Sequence, residues 1–461
     1  MPEIEIGTQF KTTTRSGFDR MGVNGESVGY FNRKLAFIAG ALPNETVIAK
    51  VTRIYRNYLR ARAVKIVKAS PLRVKPVDAY ANQVGGFELE NMKYSAQLQF
   101  KKALMRQSLK QYRPRGFKQY NVHKTMGMNK PYGYRNKLQF PVRKVNGKVI
   151  AGLYQSRSHH LVDLKTCSVQ YPVTMKVVRG LVKILQKMNY PIYDPDNNSG
   201  IIKTLVVRAA LHTHDVQVTF ITNTPKLIDK SPLLNAIQVY LPEVTSIMQN
   251  VNPGNTSMIW GDRTIPLAGH PSITEKMGGL AFKLSARAFL QLNSYMMPQL
   301  YEVVKHALNL KHGDHLVDAY SGVGTMGLPL ARQVKELRGM DTIPEAVEDA
   351  NANAKMNHIQ NARYYVGPAE DLLPKWIQAG WKPDALIVDP PRVGLARPLI
   401  KAILAAHPQK FVYVSCNPAT LARDLVTLTQ KYRVNWLQPI DMMPQTARCE
   451  VVASFSLRNN L

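Results

Sequence analysis

One cysteine stands where a predicted strand meets a predicted helix. Cys416 follows the apolar run "KFVYV" and precedes "PATLARDL", which has helical periodicity. Structural cysteines are usually buried in the middle of an element, whereas a helix N-terminus beside a thiol favours the nucleophilic thiolate. From its position alone, Cys416 is explained as well by a nucleophile as by a small buried hydrophobe.

Glycines and a carboxylate mark a nucleoside-binding turn earlier in the chain. In "HLVDAYSGVGTMGLPLA", Gly322 and Gly324 follow a short apolar run, where they let the backbone approach a ligand closely. Asp341 ends the next predicted strand, the position of a carboxylate that holds ribose hydroxyls. Because Gly327 does not complete G-x-G-x-x-G, the turn favours a nucleoside without pyrophosphate, such as S-adenosylmethionine, over a generic tight turn.

A third acidic residue ends the predicted strand "ALIV". Asp389 opens the sequence "DPPR", and ligands of doubly wound sheets bind at the carboxyl ends of the strands. The two prolines stiffen the backbone and remove two N–H donors, which suits a rim beside a flat substrate. A merely rigid loop is the alternative.

A thiolate beside a methyl donor suggests one reaction. Carbon 5 of a pyrimidine becomes nucleophilic when a thiolate adds to carbon 6, and a base must later remove the carbon 5 proton. Glu450, in "MMPQTARCEVVASF", begins the last predicted strand, and alternation puts Cys449 on the opposite face. We take Glu450 as the base and Cys449 as a packing residue, although Glu450 alone would be explained by a surface carboxylate.

The elements that must position these residues alternate between strand and helix. Alternation throughout the last third predicts an α/β doubly wound, Rossmann-like sheet in a catalytic domain of residues 281–461. Residues 281–299 are expected to be helical, and further helices are expected from about residues 325, 344 and 396.

The first two-thirds of the chain predict two other domains. Glycine-punctuated short runs predict an all-β barrel over residues 1–68, with basic and aromatic residues interleaved in "RIYRNYLRARAVK". Residues 69–280 predict an α+β central domain. We expect a helical linker at about 92–112 and a β-rich section at 131–225.

The net charge of +30 is unevenly distributed. Residues 1–68 contain 12 basic and 5 acidic residues, residues 69–299 contain 31 and 11, and residues 300–461 contain 18 and 15. A basic surface of this size indicates a polyanionic partner, and nucleic acid is favoured because no basic amphipathic helix points to a membrane surface.

Composition excludes several classes of protein. No apolar run approaches the roughly 18 residues of a membrane span, and the N-terminal sequence lacks the pattern of a secretory signal. Three cysteines, at 167, 416 and 449, cannot build a disulfide framework or a zinc site, which fits the cytoplasm.

The motifs "DAYSGVGT", "DPPR", "SCNP" and "PQTARCEVV" occur in an order and spacing that resemble the RNA uracil-5-methyltransferase family, close to its 23S rRNA members. The resemblance covers nearly the whole chain, with the barrel similar to a TRAM domain and "YRNKLQF" similar to a central RNA-facing domain. It implies Cys416 as nucleophile and Glu450 as base. The positions that contact S-adenosylmethionine match Gln291, Tyr320, Asp341 and Asp389. Candidates for RNA contact are Arg135, Lys137 and Gln139.

The chain departs from many rRNA members of that family in one respect. Those members hold a four-iron cluster with a C-x5-C-x2-C run and one later cysteine, whereas Asp78, Val84 and Phe87 stand at the first three positions here. Cys167 matches the later cysteine and has no partners. One thiolate cannot hold a cluster, so no iron–sulfur cluster is expected, as in the cluster-free enzymes of Gram-positive bacteria.

The sequence therefore predicts a cytoplasmic, monomeric enzyme that uses S-adenosylmethionine to form 5-methyluridine in 23S rRNA, with no membrane partner. A tRNA uridine is the alternative substrate. Two other functions stay open. One is an RNA-binding protein whose methyltransferase domain is vestigial, and the other is an exocyclic-amine methyltransferase that uses "DPPR" without Cys416.

Overall fold

The N-terminal part of the molecule is a small β-barrel. In a computed structural model, which describes residues 4–155 and 158–458, its strands are β1 (Gln9–Thr13), β2 (Ser27–Phe31), β3 (Lys34–Ala39), β4 (Thr46–Ile54) and β5 (Tyr58–Lys68). They form one sheet in the order β1-β4-β5-β3-β2. Phe10 of β1 stacks on Phe31 of β2, with ring centroids 4.4 Å apart, so the two edges of the sheet meet. Alternation along β4 buries Val47, Ala49 and Val51 inside the barrel.

The central part contains a seven-stranded sheet covered by helices on one face. Its elements are β6 (Lys137–Val145), β7 (Lys148–Tyr154), β8 (Leu161–Asp163), α2 (Pro172–Lys187), β9 (Ile202–Ala209), β10 (Val216–Thr222), α3 (Lys230–Tyr240), β11 (Val244–Val251) and β12 (Arg263–Gly269), while α1 (Tyr94–Tyr112) precedes them. The strand order is β12-β11-β10-β9-β6-β7-β8. Leu138 and Phe140 of β6 point into the same apolar cluster as Val178 and Leu181 of α2.

The last part is a second seven-stranded sheet with a short hairpin beside it. Its elements are β13 (Ile273–Met277), β14 (Leu280–Leu284), α4 (Met297–Leu308), β15 (His315–Ala319), β16 (Glu336–Asp341), α5 (Pro344–Met356), β17 (Ala362–Val366), α6 (Ala369–Gln378), β18 (Ala385–Val388), α7 (Arg397–Ala406), β19 (Lys410–Ser415), α8 (Pro418–Leu428), β20 (Tyr432–Ile440) and β21 (Glu450–Leu457). The strand order is β17-β16-β15-β18-β19-β21-β20.

The topology of this sheet decides where a ligand binds. The five strands from β17 to β19 are parallel, and β21 is inserted antiparallel between β19 and β20. The strand order reverses between β15 and β18, and a doubly wound sheet binds its ligand at the carboxyl ends of the strands beside such a switch point. An apolar cluster on one face of the sheet contains residues of α4 and α5. A second apolar cluster, on the other face, contains residues of α1, α6, α7 and α8. The expected doubly wound α/β fold is confirmed.

Two expected helices of the last third are wrong. In residues 281–299, β14 ends at Leu284 and turns lead to α4, because the buried residues alternate from Phe282 to Leu290 with the period of an extended chain. The helix expected from about residue 325 is a short 3-10 helix, Leu328–Gln333. The section at 131–225 contains α2 as well as strands.

Two segments that precede residue 281 pack on the last sheet. The boundary expected at 281 falls inside β14, where the N–H groups of Ala281 and Lys283 donate to Asn357 (2.9 Å) and Asn353 (2.7 Å) of α5. Helix α1 packs on α8. We therefore propose that the catalytic domain begins before β13 and uses α1 as one of its covering helices. Among the described residues, no helix is long and apolar enough to cross a membrane.

Candidate active site

The carboxyl ends of four neighbouring strands surround one large cavity. It has a volume of about 1270 Å³ and lies beyond the ends of β15, β16, β18 and β19. Seven of the eight catalytic or cofactor residues predicted from the sequence line it, namely Gln291, Tyr320, Gly322, Asp341, Asp389, Cys416 and Glu450. Gly324 does not.

The turn after β15 is tight and is anchored to the next strand. Tyr320, Gly322 and Gly324 have φ angles of 64°, 54° and 83°, so three of five consecutive residues adopt the left-handed conformation. The Gly322 N–H donates to Asp341 Oδ2 at 3.0 Å. Gly324 supports the turn from behind, because a Cβ at this position would lie 2.8 Å from the Tyr364 hydroxyl.

Asp389 and Gln291 form a polar pair on the cavity wall. Gln291 Nε2 donates to Asp389 Oδ2 at 3.1 Å. The segment that carries Gln291 is itself held by the central domain, since Asn136 Nδ2 donates to the Gln291 carbonyl at 3.0 Å. Burial raises the pKa of Asp389 to about 7, against the lowering effect of the Gln291 hydrogen bond.

Cys416 and Glu450 face one another because β19 and β21 are antiparallel. The register pairs Ser415 with Val451, so the next opposed residues are Cys416 and Glu450. Cys416 follows the last residue of β19, and the next residue, Asn417, caps α8 by accepting the Ala419 N–H at 3.1 Å with its side chain. The thiol is half-buried at the cavity surface, whereas the Glu450 side chain is almost fully buried.

The electrostatic environment disfavours negative charge on both groups. Burial raises the pKa of Cys416 to about 11, and the Glu450 and Asp389 carboxylates add to the rise. The sequence predicted that the α8 N-terminus would favour the thiolate, but these effects outweigh it. Burial also raises the pKa of Glu450 well above its usual value, with Asp389 acting in the same direction. Arg392 opposes both shifts.

Arg392 is a cavity residue to which the sequence reasoning gave no role. It is exposed at the cavity rim, and α8 fixes its backbone: Asn417 Nδ2 and Thr420 Oγ1 donate to the Arg392 carbonyl at 3.0 and 3.3 Å. The sequence did contain a signal for Arg392, because a cation that directly follows "DPP" must lie near the strand end that carries Asp389. Phe289, with 51% of its surface exposed, lines the cavity as well and lies two residues before Gln291.

Cys449 and Glu450 have different surroundings. Cys449 is 2% exposed and belongs to the apolar cluster that contains Tyr413 and Val451, and it also borders the cavity, so its packing role stays a prediction. Glu450 Oε1 is buried and has no hydrogen-bond partner among the described residues. A buried carboxylate oxygen without a partner is costly unless a ligand uses it.

The candidates for RNA contact lie outside this cavity. Lys137 and Gln139 are half-buried on one face of β6, in alternation with the core residues of that strand, and Arg135 precedes them on the same face. Lys137 pairs in register with Arg208 of β9. Burial lowers the pKa of Lys137 to about 7, and the charges of Arg208 and Arg135 add to the effect.

The residues at the positions of the cluster cysteines form an ordinary packed region. Val84 and Phe87 belong to the same apolar cluster as Cys167. Asp78 Oδ2 accepts the Ser168 N–H at 2.6 Å, so a carboxylate links the two segments. Within residues 4–155 and 158–458, no group of three or more His, Cys, Asp or Glu side chains could hold a metal ion.

Comparison with known proteins assigns both ends of the chain. Residues 272–454 match the profile of the family described as tRNA (Uracil-5-)-methyltransferase, and residues 18–64 match the TRAM domain. An uncharacterized RNA methyltransferase of Lactiplantibacillus plantarum is 56% identical over 456 residues, which cover 99% of this chain and 94% of the relative. One from Listeria monocytogenes is 47% identical over 457 residues, 99% of each protein.

A solved structure extends the similarity to the whole fold. The Pyrococcus abyssi tRNA (uracil-54, C5)-methyltransferase in complex with S-adenosyl-L-homocysteine superposes with a TM-score of 0.75 and 27% identity, covering 96% of this chain and 99% of that one. The fold is thus that of a Rossmann-like methyltransferase with an N-terminal TRAM domain. The chain belongs to the RNA uracil-5-methyltransferase family, which confirms the resemblance seen in its sequence.

Proposed function

We propose that this enzyme methylates carbon 5 of specific uridines in 23S rRNA, with Cys416 as nucleophile and Glu450 as base. S-adenosylmethionine is the methyl donor, and 5-methyluridine is the product. We propose further that it works in the cytoplasm as a monomer; three cysteines that form no disulfide framework support the reducing compartment.

The facing pair of Cys416 and Glu450 carries this proposal. Methylation at carbon 5 needs a nucleophile for carbon 6 and a base for the proton on carbon 5, which is the neighbouring ring atom. The β19–β21 register supplies a thiol and a carboxyl group in direct opposition. An exocyclic-amine methyltransferase would need neither group in this arrangement.

The residues around the pair fit S-adenosylmethionine. The left-handed turn at Gly322 opens the backbone to a ligand, and Asp341 at the end of β16 is suited to ribose hydroxyls. Asp389 and Gln291 offer polar atoms nearer to Cys416. When bound, S-adenosylmethionine supplies the methyl group and a positive charge in a cavity where burial and the Asp389 carboxyl group raise the pKa of Glu450.

The protein's own groups divide the remaining chemistry. The Cys416 sulfur forms a bond to carbon 6, and carbon 5 then takes the methyl group. Glu450 accepts the carbon 5 proton, and the electrons of that bond restore the double bond as the sulfur leaves. Arg392 favours the charged forms of both Cys416 and Glu450. Burial raises the pKa of Glu450 well above its usual value, which makes its carboxylate form a stronger base.

Ribosomal RNA as the substrate is supported by the large basic surface and the resemblance to rRNA members of the family. A tRNA uridine is the second candidate, since the structural neighbour from Pyrococcus abyssi is a tRNA enzyme. Nucleoside analysis of both RNA pools from a deletion strain distinguishes them. We expect 5-methyluridine to be lost from 23S rRNA, and loss from tRNA alone would contradict the rRNA proposal.

The roles of Cys416 and Glu450 are tested by covalent trapping on denaturing gels. Cys416→Ala should give neither product nor adduct. Glu450→Gln keeps the shape of the side chain but cannot accept the proton, so it should transfer the methyl group and stall as a protein–RNA adduct. Combining both substitutions should remove the adduct, because the two residues act in sequence. An adduct that survives Cys416→Ala would move the nucleophile to another residue.

A further inference from the structure

The connection that delivers Glu450 to the active site is held from outside the catalytic sheet. Residues 441–449 join β20 to β21, and the strands close again at the pair Ile440–Glu450. Ala447 packs with Met21 and Leu42 from the barrel side of the molecule and with Phe100 of α1. The position of the base therefore depends on contacts with parts of the chain that do no chemistry.

A fully buried ion pair fixes the start of this connection. The Lys101 ammonium of α1 donates to Asp441 Oδ1, and both side chains are completely buried. Lys101 also donates to the Met443 carbonyl at 3.0 Å. Two charges lose their hydration here, and such a pair adds little stability compared with well-packed apolar residues. The pair instead fixes the geometry of the connection, because each buried charge is stable only when its partners lie in one arrangement.

A pair of glutamines holds the middle of the connection in the same way. Gln97, one helical turn before Lys101 on α1, donates to Gln445 Oε1 at 2.8 Å, and its own Oε1 accepts the Gln445 N–H at 3.1 Å. Gln445 has a φ of 69°, which is unfavourable for a residue with a side chain. The Leu89 N–H donates to the Gln445 carbonyl at 2.9 Å. These bonds hold the strained residue in place.

The charges of the ion pair affect the pKa of Cys449, the residue next to the base. Burial raises the pKa of Cys449 to about 12, with Lys101 acting against the rise and Asp441 adding to it. Cys449 immediately precedes Glu450, and the strand pair Ile440–Glu450 lies directly beside Asp441, which is fixed at the other end of the connection.

We propose that Lys101 and Asp441 are positioning residues that hold Glu450 against the substrate and couple its placement to α1, the helix between the TRAM domain and the catalytic sheet. The proposal rests on the proposed function, because it assigns the pair to the proton-removal step. Neither residue lines the cavity, so they act through the 441–449 connection.

The experiment compares two steps of the reaction in Lys101→Met. Misplacement of a catalytic group by about 1 Å costs on the order of 10²-fold in rate. We expect proton removal to slow by about this factor, while methyl transfer in a single turnover changes much less. A covalent protein–RNA adduct should therefore accumulate on denaturing gels, as in Glu450→Gln. Asp441→Asn, which keeps the shape of the side chain, should give the same pattern.

Lys203→Met is the matched control. The Lys203 ammonium is also buried and also donates to backbone carbonyls, those of Asn252 (2.8 Å) and Gly254 (2.7 Å), but in the central domain. It should lower stability without causing an adduct to accumulate. Thermal unfolding of all variants checks that the proteins compared are folded.

Three outcomes would overturn the positioning role. These are equal adduct levels in the Lys101 and Lys203 variants, equal losses of methyl transfer and proton removal in Lys101→Met, and normal turnover in Asp441→Asn. Glu450→Gln is run on the same gels. If it also lacks an adduct, the proposed function fails. If it forms the adduct and the Lys101 and Asp441 variants do not, only the positioning role fails.

Discussion

At the scale of single residues, the Cys416 thiol lies in surroundings that hold its proton. Burial raises its pKa to about 11, the carboxyl groups of Glu450 and Asp389 add to the rise, and Arg392 acts in the opposite direction. A thiol with a raised pKa reacts slowly at neutral pH, because only the thiolate is nucleophilic. Cys416 is thus protected from adventitious alkylation and oxidation until its surroundings change on binding.

Alkylation of the free enzyme by iodoacetamide tests this assignment. Because the pKa is raised, the thiolate fraction should climb about tenfold per pH unit from pH 7 to about 10, and the rate should follow without levelling. Arg392→Gln should slow alkylation at every pH in this range, since it removes the favourable positive charge.

The Cys416→Ser variant measures the background from Cys167 and Cys449, which are both buried. Mass spectrometry of the labelled peptide gives the rate at Cys416 itself. A rate that reaches its plateau below pH 8 would show that the thiol is acidic, contrary to the effect of its neighbours in the structure.

At the scale of elements, strand β6 carries a basic face with an unusual lysine. The pKa of Lys137 is lowered to about 7, so the side chain is only partly charged at neutral pH in the free protein. An RNA phosphate would favour the charged form and draw a proton to Lys137. RNA affinity should then be greatest below pH 7 and should weaken as the pH rises, by up to about tenfold per pH unit.

Fluorescence anisotropy with labelled RNA between pH 6 and 9 measures this dependence. Lys137→Arg stays charged over the whole range, so its affinity should vary less with pH than that of the wild type. The comparison is needed because the pKa values of Asp318 and Asp389 are also raised to about 7. Identical pH profiles for the two proteins would remove Lys137 from the RNA contacts.

At the scale of the whole molecule, charge and chemistry are segregated. Residues 1–299 carry 27 of the 30 excess positive charges, whereas residues 300–461, which contain six of the seven predicted residues that line the cavity, are nearly neutral. We therefore expect RNA binding to be driven mainly by residues 1–299. Helix α1 and the 441–449 connection are the physical link between those residues and the base.

The whole chain should also fold and act without iron. Where a cluster would join the segments at 78–87 and 167, the Asp78 carboxylate accepts the Ser168 N–H and apolar side chains fill the space. Protein purified without oxygen should be colourless, and chelation should leave its activity unchanged. Metal analysis that finds about four iron atoms per chain would contradict this expectation.

The sequence by itself determined the class of fold and most of the cavity. Strand–helix alternation predicted the doubly wound sheet, and in such a sheet the residue that follows a strand must lie at the ligand edge. Asp341, Asp389 and Cys416 could therefore be assigned to one site before any contact was known, because each stands at the end of a predicted strand.

Local patterns failed where a residue's role depends on distant partners. Gly324 looks like Gly322 in the sequence, but its lack of a side chain leaves room for Tyr364, 40 residues later. Residues 281–299 looked helical in the sequence. In the structure every second side chain from Phe282 to Leu290 is buried, and this pattern depends on the packing of the β13–β14 hairpin on α5.

Only the tertiary structure decided the relation between the two groups assigned to catalysis. Cys416 and Glu450 are 34 residues apart, and they oppose one another because β21 enters the sheet antiparallel to β19 with Ser415 paired to Val451. A shift of one residue in that register would turn Glu450 to the other face of the sheet. Registers between distant strands are set by packing over the whole sheet and by connections such as 441–449, and these are properties of the folded chain rather than of any short segment.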